Sequence, residues 1–403
     1  MSAQWRVACH PASRLAALAL AVASALLVAG CGSKPAATSS PNLAQVAVSG
    51  PSLATSVSSA SGTSWAIVQM GGSAATFDNF WELFVRPAGA PSWKLATPAG
   101  VASNGGLVMA ATGAASLVTG FRPSQDLKFS PLAATADGGI QWSQNALLSP
   151  GLGDVPDALA GSSGGRLIAL TESGEVETST SLGATWDRLA TQQSLADSPA
   201  GRTCDVQALT GAAWTPAGSP VVGASCGKAG VAGIFTYSAG AWRLAGPALP
   251  AGLSQDRIDV AALATNGTRT TAILAARTGT GTSLLAAWSA DGGAHWQLSP
   301  ALPAPMQATT AAGKPSISIW ADGSAGLVLP DGSGAVIGWQ SAGWRALPSL
   351  PARTATLALG PGGEPQALSV RAGTMTVWQL DAGSSHWSVA QTVGATIPYG
   401  TSG

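Results

Sequence analysis

The chain has 403 residues, of which 46% are hydrophobic and only 9% are charged, with 19 basic and 19 acidic side chains. A net charge of zero argues against a nucleic-acid-binding protein, which would need a basic surface. The 51 glycines and 26 prolines predict many turns between short strands. Outside the N-terminus no uncharged apolar run reaches the roughly 18 residues of a transmembrane helix.

Residues 1–30 have the pattern of a secretory signal peptide. Arg6 and Arg14 form a basic region, Leu15 to Val28 is apolar, and Ala29-Gly30 then directly precedes Cys31. Small residues before a cysteine resemble the lipobox of bacterial lipoproteins, in which the signal is removed and the cysteine is acylated. The resemblance implies export and a lipid anchor on Cys31 at the outer face of the cell membrane. An ordinary cleaved signal and an uncut signal anchor are the alternatives.

Residues 31–61 are predicted to be a flexible tether, followed by a folded domain at 62–392 and a C-terminal tail at 393–403. The tether is rich in Ser, Ala, Thr, Pro and Gly and has a single charge, Lys34. This composition is typical of linkers. A competing interpretation is that Gln45 to Val48 already form an edge strand.

Cys204 and Cys226 are predicted to form a structural disulfide. They flank two strand-like runs, Asp205–Thr215 and Pro220–Ser225, separated by a short Pro-Ala-Gly-Ser turn. A hairpin would place the two cysteines opposite each other, in an exported compartment that permits disulfides. Closing such a loop contributes about 3 kcal/mol. The sequence has no CxxC motif and no Cys/His cluster, so we predict neither a metal site nor a cofactor.

From Trp65 onwards the sequence is repetitive. Seven tryptophans lie 43 to 56 residues apart in similar contexts: Trp93, Trp142, Trp186, Trp242, Trp296, Trp344 and Trp387. Most follow an apolar strand and a glycine-containing turn, with room for two further strands before the next repeat. The last repeat, for example, predicts strands at Thr354–Leu359, Gln366–Arg371 and Met375–Leu380.

Four short strands per repeat of this length is the period of a propeller blade. We therefore predict an all-β fold, a seven-bladed β-propeller with four-stranded antiparallel blades. Six and eight blades are the alternatives. No stretch has sustained helical periodicity, so no helix is predicted.

Three of the turns follow a sharper pattern, [ST]-x-D-x-G-x-x-W. Its residues are Thr135, Asp137, Gly139 and Trp142; Ser289, Asp291, Gly293 and Trp296; and, with serine in place of aspartate, Ser179, Gly183 and Trp186. The pattern resembles the Asp-box (BNR) repeat of sialidases, sortilin-type receptors, some endoglucanases and photosystem assembly factors. The resemblance implies a propeller whose boxes lie on the outer hairpins, away from the pocket at its axis.

The chemistry of these residues favours a structural role. The carboxylate and the hydroxyl accept backbone N–H groups within the hairpin, and the tryptophan packs against the turn. Because one copy has serine in place of the aspartate, catalysis by Asp137 or Asp291 is not expected.

A charged pocket is the alternative place for function. Propellers gather the loops at one end of their strands around the axis, and seven charged residues fall in or beside these loops: Asp154, Asp157, Asp256, Arg257, Lys314, Asp331 and Arg353. They are candidates for a polar pocket. The competing interpretation is that they are solvated loop charges.

We expect a non-catalytic binding or assembly module with an unknown protein or glycan ligand, acting as a monomer. A sialidase would need three arginines, a Tyr–Glu pair and an aspartate. The chain has only two tyrosines and five glutamates, and none matches the catalytic positions, so no catalytic residue is assigned. A sialidase-type exo-glycosidase is the first alternative, and a cell-wall-binding or sugar-binding propeller is the second.

Overall fold

The computed structural model describes residues 53–71, 80–98, 105–122, 130–143, 152–162, 164–278, 281–304, 314–339, 341–381 and 383–395. All of them belong to one compact unit, residues 46–403. The predicted signal peptide, Cys31 and most of the predicted tether and tail lie outside the described residues. Within these ranges no helix has the length and apolar character to cross a membrane.

The all-β class is confirmed, and the strands form successive antiparallel sheets, numbered here in chain order. Sheet 1 contains β1 (Thr55–Ser58), β2 (Ser64–Gly71), β3 (Phe80–Arg86) and β4 (Lys94–Leu95); sheet 2 contains β5 (Leu107–Ala111), β6 (Leu117–Phe121) and β7 (Leu132–Thr135). Sheet 3 contains β8 (Pro156–Gly161), β9 (Leu167–Thr171), β10 (Glu175–Ser179) and β11 (Asp187–Thr191).

A nine-stranded sheet follows. It consists of two parts that are joined by a single bridge between Ser225 and Asp259. Sheet 4 contains β12 (Val206–Trp214), β13 (Pro220–Cys226), β14 (Gly233–Ser238) and β15 (Ala241–Leu244); sheet 5 contains β16 (Arg257–Asn266), β17 (Arg269–Arg277), β18 (Thr282–Ser289), β19 (Gln297–Leu298) and β20 (Leu302–Ala304).

The last two sheets again have four strands. Sheet 6 contains β21 (Ser316–Ile319), β22 (Ala325–Val328), β23 (Gly334–Ile337) and β24 (Arg345–Ala346); sheet 7 contains β25 (Thr354–Leu359), β26 (Pro365–Arg371), β27 (Thr374–Leu380) and β28 (Trp387–Gly394). Several four-stranded antiparallel sheets in succession agree with a propeller.

Strand order gives each sheet two distinct ends. Because neighbouring strands are antiparallel and follow chain order, the turns after the first and third strands lie at one end, called here the turn end. The turns after the second strand and the connections to the next sheet lie at the other, called the crossover end. The Asp-box turns are at the turn end, and the seven candidate pocket residues are at the crossover end.

Consecutive sheets share buried apolar cores. Ile273 and Trp288 of sheet 5, for example, pack with Ile319 and Leu327 of sheet 6. Burying an aliphatic side chain of this size contributes about 1.5–3 kcal/mol, so these cores are the main source of cohesion between sheets.

Sheet 7 also packs on sheet 1, which brings the two ends of the described chain together. Leu368 shares a core with Phe84. The side-chain amide of Gln391 accepts a hydrogen bond from the Trp93 N–H (2.7 Å) and donates one to the Trp93 carbonyl (2.8 Å). Trp93 Nε1 donates to Gln366 Oε1 at 2.9 Å. Side-chain hydrogen bonds thus connect the first and last sheets.

The folded domain begins earlier than predicted, because β1 lies inside the segment assigned to the tether (31–61). Its serines suggested a linker, but they are buried hydrogen-bonding groups. Ser56 Oγ accepts from Trp320 Nε1 (2.9 Å) and donates to the Leu357 carbonyl (2.7 Å). Ser58 Oγ accepts from the Ala321 N–H at 2.9 Å. Partners about 260 to 300 positions away make these serines part of the core.

Two short helices, α1 (Gln192–Ala196) and α2 (Pro199–Cys204), connect sheets 3 and 4 and were not predicted. Thr191 and Ser198 are their N-caps, and Pro199 occupies the first turn of α2. Helices this short carry no periodic apolar pattern, so caps were the signal available in the sequence.

The predicted disulfide is confirmed. Cys204 and Cys226 are bonded, with their Cα atoms 5.0 Å apart. Both are fully buried in the core shared by sheets 3 and 4. Cys204 is the last residue of α2 rather than part of a hairpin strand, so the bond fixes the helical connection to β13.

Candidate functional site

In the Asp-box of sheet 2, the aspartate is a hydrogen-bond acceptor within its own turn. Asp137 Oδ1 accepts from the N–H groups of Gln141 (2.9 Å) and Ile140 (3.0 Å), and from the Thr135 hydroxyl (2.8 Å). Thr135 Oγ1 accepts in turn from the Gly139 N–H at 3.0 Å. The bond from Gln141, followed by that from Thr135, lowers the pKa of Asp137.

The Asp-box of sheet 5 has the same arrangement and one further contact. Asp291 Oδ1 accepts from the His295 N–H and the Ser289 hydroxyl, both at 2.9 Å, and Ser289 Oγ accepts from the Gly293 N–H at 2.8 Å. Asp291 Oδ2 also lies 2.6 Å from His295 Nδ1. The His295 N–H and then its imidazole hold the pKa of Asp291 well below its ordinary value.

The Asp-box glycines bring each turn against the preceding sheet. A Cβ atom at Gly139 would lie 3.0 Å from Ala96 Cβ, and one at Gly293 would lie 2.9 Å from Ala245 Cβ. Trp296 Nε1 donates to the Ala245 carbonyl at 2.6 Å. The turns therefore connect neighbouring sheets as well as closing their own hairpins.

At the crossover end, two of the candidate pocket residues are turn caps. Asp154 accepts from its neighbour's N–H, that of Val155 (2.7 Å), and from the Ser173 N–H (3.0 Å). Burial alone would raise the pKa of Asp154, but hydrogen bonds from Ser173 and Val155 outweigh it and the pKa is lowered. Asp331 accepts from the Ser333 hydroxyl (2.6 Å) and N–H (2.9 Å), which lower its pKa in that order.

The other candidates have separate surroundings. Asp157 pairs with Arg122 at 3.0 Å, between sheets 3 and 2. Asp256 is buried, and its carbonyl accepts from the Gly230 N–H at 2.9 Å. Lys314 and Arg353 are exposed. These contacts stabilise local turns and sheet pairs, and they do not favour one shared pocket.

Arg257 belongs to an ionic cluster that sequence reasoning missed. Asp259 is buried and lies 2.7 Å from Arg277 Nε and 3.9 Å from Arg257 Nε. Arg257 and Arg277 are cross-strand partners at the crossover end of β16 and β17. The sequence signal for this cluster was the placement of Arg257 and Arg277 at the ends of two strands predicted to pair, with Asp259 two positions after Arg257.

A groove of about 290 Å³ lies at the turn end between sheets 5 and 6. Its lining, called here the tryptophan groove, includes Trp288, Asp291, His295, Trp296, Gln297 and Trp339. This groove is at the opposite end of the sheets from the predicted pocket. Trp288, which lies next to the first residue of the Asp-box of sheet 5, was the sequence signal for this groove. The position of its ring could not be predicted from sequence.

Buried contacts hold the aromatic part of the groove in place. Trp288 is 1% exposed, and its Nε1 donates to the Gly323 carbonyl at 2.7 Å. Trp339 meets Trp288 edge-on, with ring centroids 5.8 Å apart, and the Arg269 guanidinium lies 4.2 Å from the Trp339 centroid. The imidazole of His295 is 91% exposed.

A second groove, of about 300 Å³, lies between sheets 6 and 7. Its lining is mainly small and aliphatic, and Trp320, Asp322 and Arg345 are its aromatic and charged members. In the part of the chain that the structure describes, no group of three His, Cys, Asp or Glu side chains could hold a metal ion.

Comparison with known proteins finds similar solved structures at low identity. A protein from Lactobacillus plantarum is 13% identical, covers 81% of this chain and 95% of its own, and has a TM-score of 0.48. YCF48 from Cyanidioschyzon merolae is 14% identical, with coverages of 82% and 94% and a TM-score of 0.44. A Hadza microbial sialidase is 10% identical, with coverages of 69% and 62% and a TM-score of 0.40. No family model and no curated protein matches the sequence.

Proposed function

We propose that this protein is a non-catalytic binding module, exported and anchored to the outer face of the membrane by lipid on Cys31. In this proposal the folded part is a monomeric seven-bladed propeller carrying Asp-box turns, and its ligand is a protein or a glycan. The buried disulfide supports export, because such bonds persist in oxidising compartments.

The observation that carries the non-catalytic role is that three candidate carboxylates are hydrogen-bond acceptors for their own turns. Asp137 and Asp291 accept backbone N–H groups of their own turns, and Asp154 does the same at the crossover end. The pKa values of these three groups are lowered, which takes them further from the near-neutral pKa that a general acid needs. The tryptophan groove, in contrast, presents aromatic and polar side chains to solvent.

Metabolic labelling with a clickable fatty acid tests the anchor. We expect wild-type protein in intact cells to carry the label and Cys31→Ala to lose it. Cys9→Ala is the matched control, since it removes a cysteine from within the predicted signal and should keep the label. Label that persists on Cys31→Ala, or is absent from wild type, contradicts the proposal.

A panel of fluorogenic glycosides that includes a sialoside tests the absence of catalysis. We expect the purified full chain to release no fluorophore above the buffer rate. Turnover that survives repurification and is lost in Asp259→Asn, which changes the buried carboxylate between two arginines, would support the glycosidase alternative instead.

A further inference from the structure

The tryptophan groove has the amphipathic character of a small-ligand site. Trp288 forms a buried floor, and Trp296 and Trp339 are partly exposed. His295 and Gln297 are exposed at its edge. An apolar aromatic surface with a few polar groups is the usual composition of such sites. Its volume of about 290 Å³ is at the lower limit of the usual range and fits one ring-sized group.

The groove has no net charge that would select an ionic ligand. The Asp291 carboxylate is anionic at neutral pH, and the Arg269 guanidinium covers one face of Trp339 at 4.2 Å. These two side chains place one charge of each sign beside the aromatic surface. A neutral ligand suits this balance of charge.

The polar groups at the edge specify hydrogen bonding to hydroxyls. His295 Nδ1 is engaged with Asp291 Oδ2 at 2.6 Å, which orients the imidazole and leaves Nε2 towards solvent. The Gln297 amide supplies both a donor and an acceptor. Neighbouring hydroxyls of a sugar, which both donate and accept, match this pair, while the C–H face of a pyranose matches the indole rings.

We propose that the tryptophan groove binds one neutral pyranose ring of a saccharide. The proposal rests on the proposed function as a binding module and names the chemistry of its ligand. His295 and Gln297 hydrogen-bond the ring hydroxyls, Trp339 and Trp296 contact its C–H face, and Asp291 is a positioning residue that acts through His295.

Saturation-transfer NMR on the full chain, purified in a detergent without sugar headgroups, tests the proposal. The probes are the methyl glycosides of glucose, galactose, mannose and N-acetylglucosamine, with choline and glucuronate as charged comparisons. We expect saturation of at least one neutral glycoside and of neither charged probe. Gln297→Ala should weaken binding about fivefold, the loss of one neutral hydrogen bond, and Trp339→Ala should abolish it.

Trp186→Ala is the control for loss of a partly buried tryptophan outside the groove, because Trp186 lies in the degenerate Asp-box turn of sheet 3 and its variant should leave binding unchanged. Gln297 is exposed, so its variant separates loss of binding from loss of folding. Stronger saturation of choline or glucuronate, no saturation of any neutral glycoside, or equal binding by wild type and Gln297→Ala overturns the proposal. Acylation of Cys31 and the absence of turnover would be unaffected by that result, so the two proposals fail separately.

Discussion

The Asp-box turn of sheet 5 and the degenerate turn of sheet 3 have the same hydrogen-bond pattern from different chemical groups. Ser289 Oγ accepts from Gly293 N–H at 2.8 Å, as Ser179 Oγ does from Gly183 N–H at 2.9 Å. Where Asp291 Oδ1 accepts from His295 N–H, Ser181 Oγ accepts from Thr185 N–H, both at 2.9 Å. A hydroxyl therefore replaces the carboxylate in the turn.

What the carboxylate adds is a second oxygen and a charge. In sheet 5, Asp291 Oδ2 contacts the His295 ring, at the edge of the tryptophan groove. In sheet 3, Ser181 Oγ has Thr185 Oγ1 as its neighbour at 3.0 Å. The comparison indicates that glycine and the first serine maintain the turn, and that aspartate adds control of a surface side chain.

The largest effect is expected from the turn glycines. Gly293 has φ +95° and Gly183 has φ +90°, and an added Cβ would lie 2.9 Å from Ala245 Cβ and 2.7 Å from Leu132 Cδ1. Backbone strain and overpacking together predict that Gly293→Ala lowers the free energy of unfolding by about 2–4 kcal/mol. Gly183→Ala should lower the free energy of unfolding by less, since the end of the Leu132 side chain can move away from the added methyl group. Chemical denaturation of both variants measures the difference.

Gly292→Ala is the control for that pair. Its φ is +71°, but a Cβ there would meet no atom nearer than 3.7 Å, so only strain should remain, about 1 kcal/mol. If Gly292→Ala and Gly293→Ala are equally destabilising, the packing of the turn against the preceding sheet is not what requires glycine.

The first serine of each turn should have the next largest effect. Ser289 and Ser179 are each 1% exposed, and alanine at either position would leave a glycine N–H without its acceptor. We expect each variant to lose about 1–3 kcal/mol of unfolding free energy. Thermal denaturation of Ser289→Ala and Ser179→Ala should give similar shifts, and a large effect in only one sheet would break the equivalence.

Exchange of the second acceptor should have a smaller effect. Asp291→Ser and Ser181→Asp each keep an acceptor for the backbone N–H, so their melting temperatures should fall by less than those of the serine variants. Asp291→Ala removes the acceptor and should be less stable than Asp291→Ser. Calorimetry of the three proteins is the measurement, and a loss in Asp291→Ser equal to that in Asp291→Ala would show that the charge itself maintains the turn.

The smallest effect is a pH dependence. The folded-state pKa of Asp291 lies below its ordinary value of 3.8. The contribution of the ionised Asp291 to the stability of the fold is therefore present above about pH 4 and is lost as the pH falls through the folded-state pKa. The stability difference between wild type and Asp291→Ser should shrink as the pH falls below about 4. A difference that grows on acidification would reverse the sign of this linkage.

The sequence was sufficient to predict structural features that depend on a local pattern of residues. Thr354–Leu359 is a strand with its predicted bounds, and the Cys204–Cys226 pair followed from the spacing of the cysteines and the predicted compartment. It failed where the partner is distant, since the serines of β1 have linker composition but bond residues of sheets 6 and 7. The tryptophan groove was missed for the same reason, because Trp288 and Trp339 meet only when sheets 5 and 6 pack.

Site-specific photo-crosslinking in intact cells tests most directly whether the protein binds through the tryptophan groove. A benzophenone amino acid would replace Gln297 in the groove, Arg353 at the crossover end, or Ile140, which is 82% exposed in the Asp-box turn of sheet 2. We predict glycan-containing adducts from position 297 and none from positions 140 and 353. Adducts from position 353 without any from position 297 would contradict this account and place binding at the crossover end.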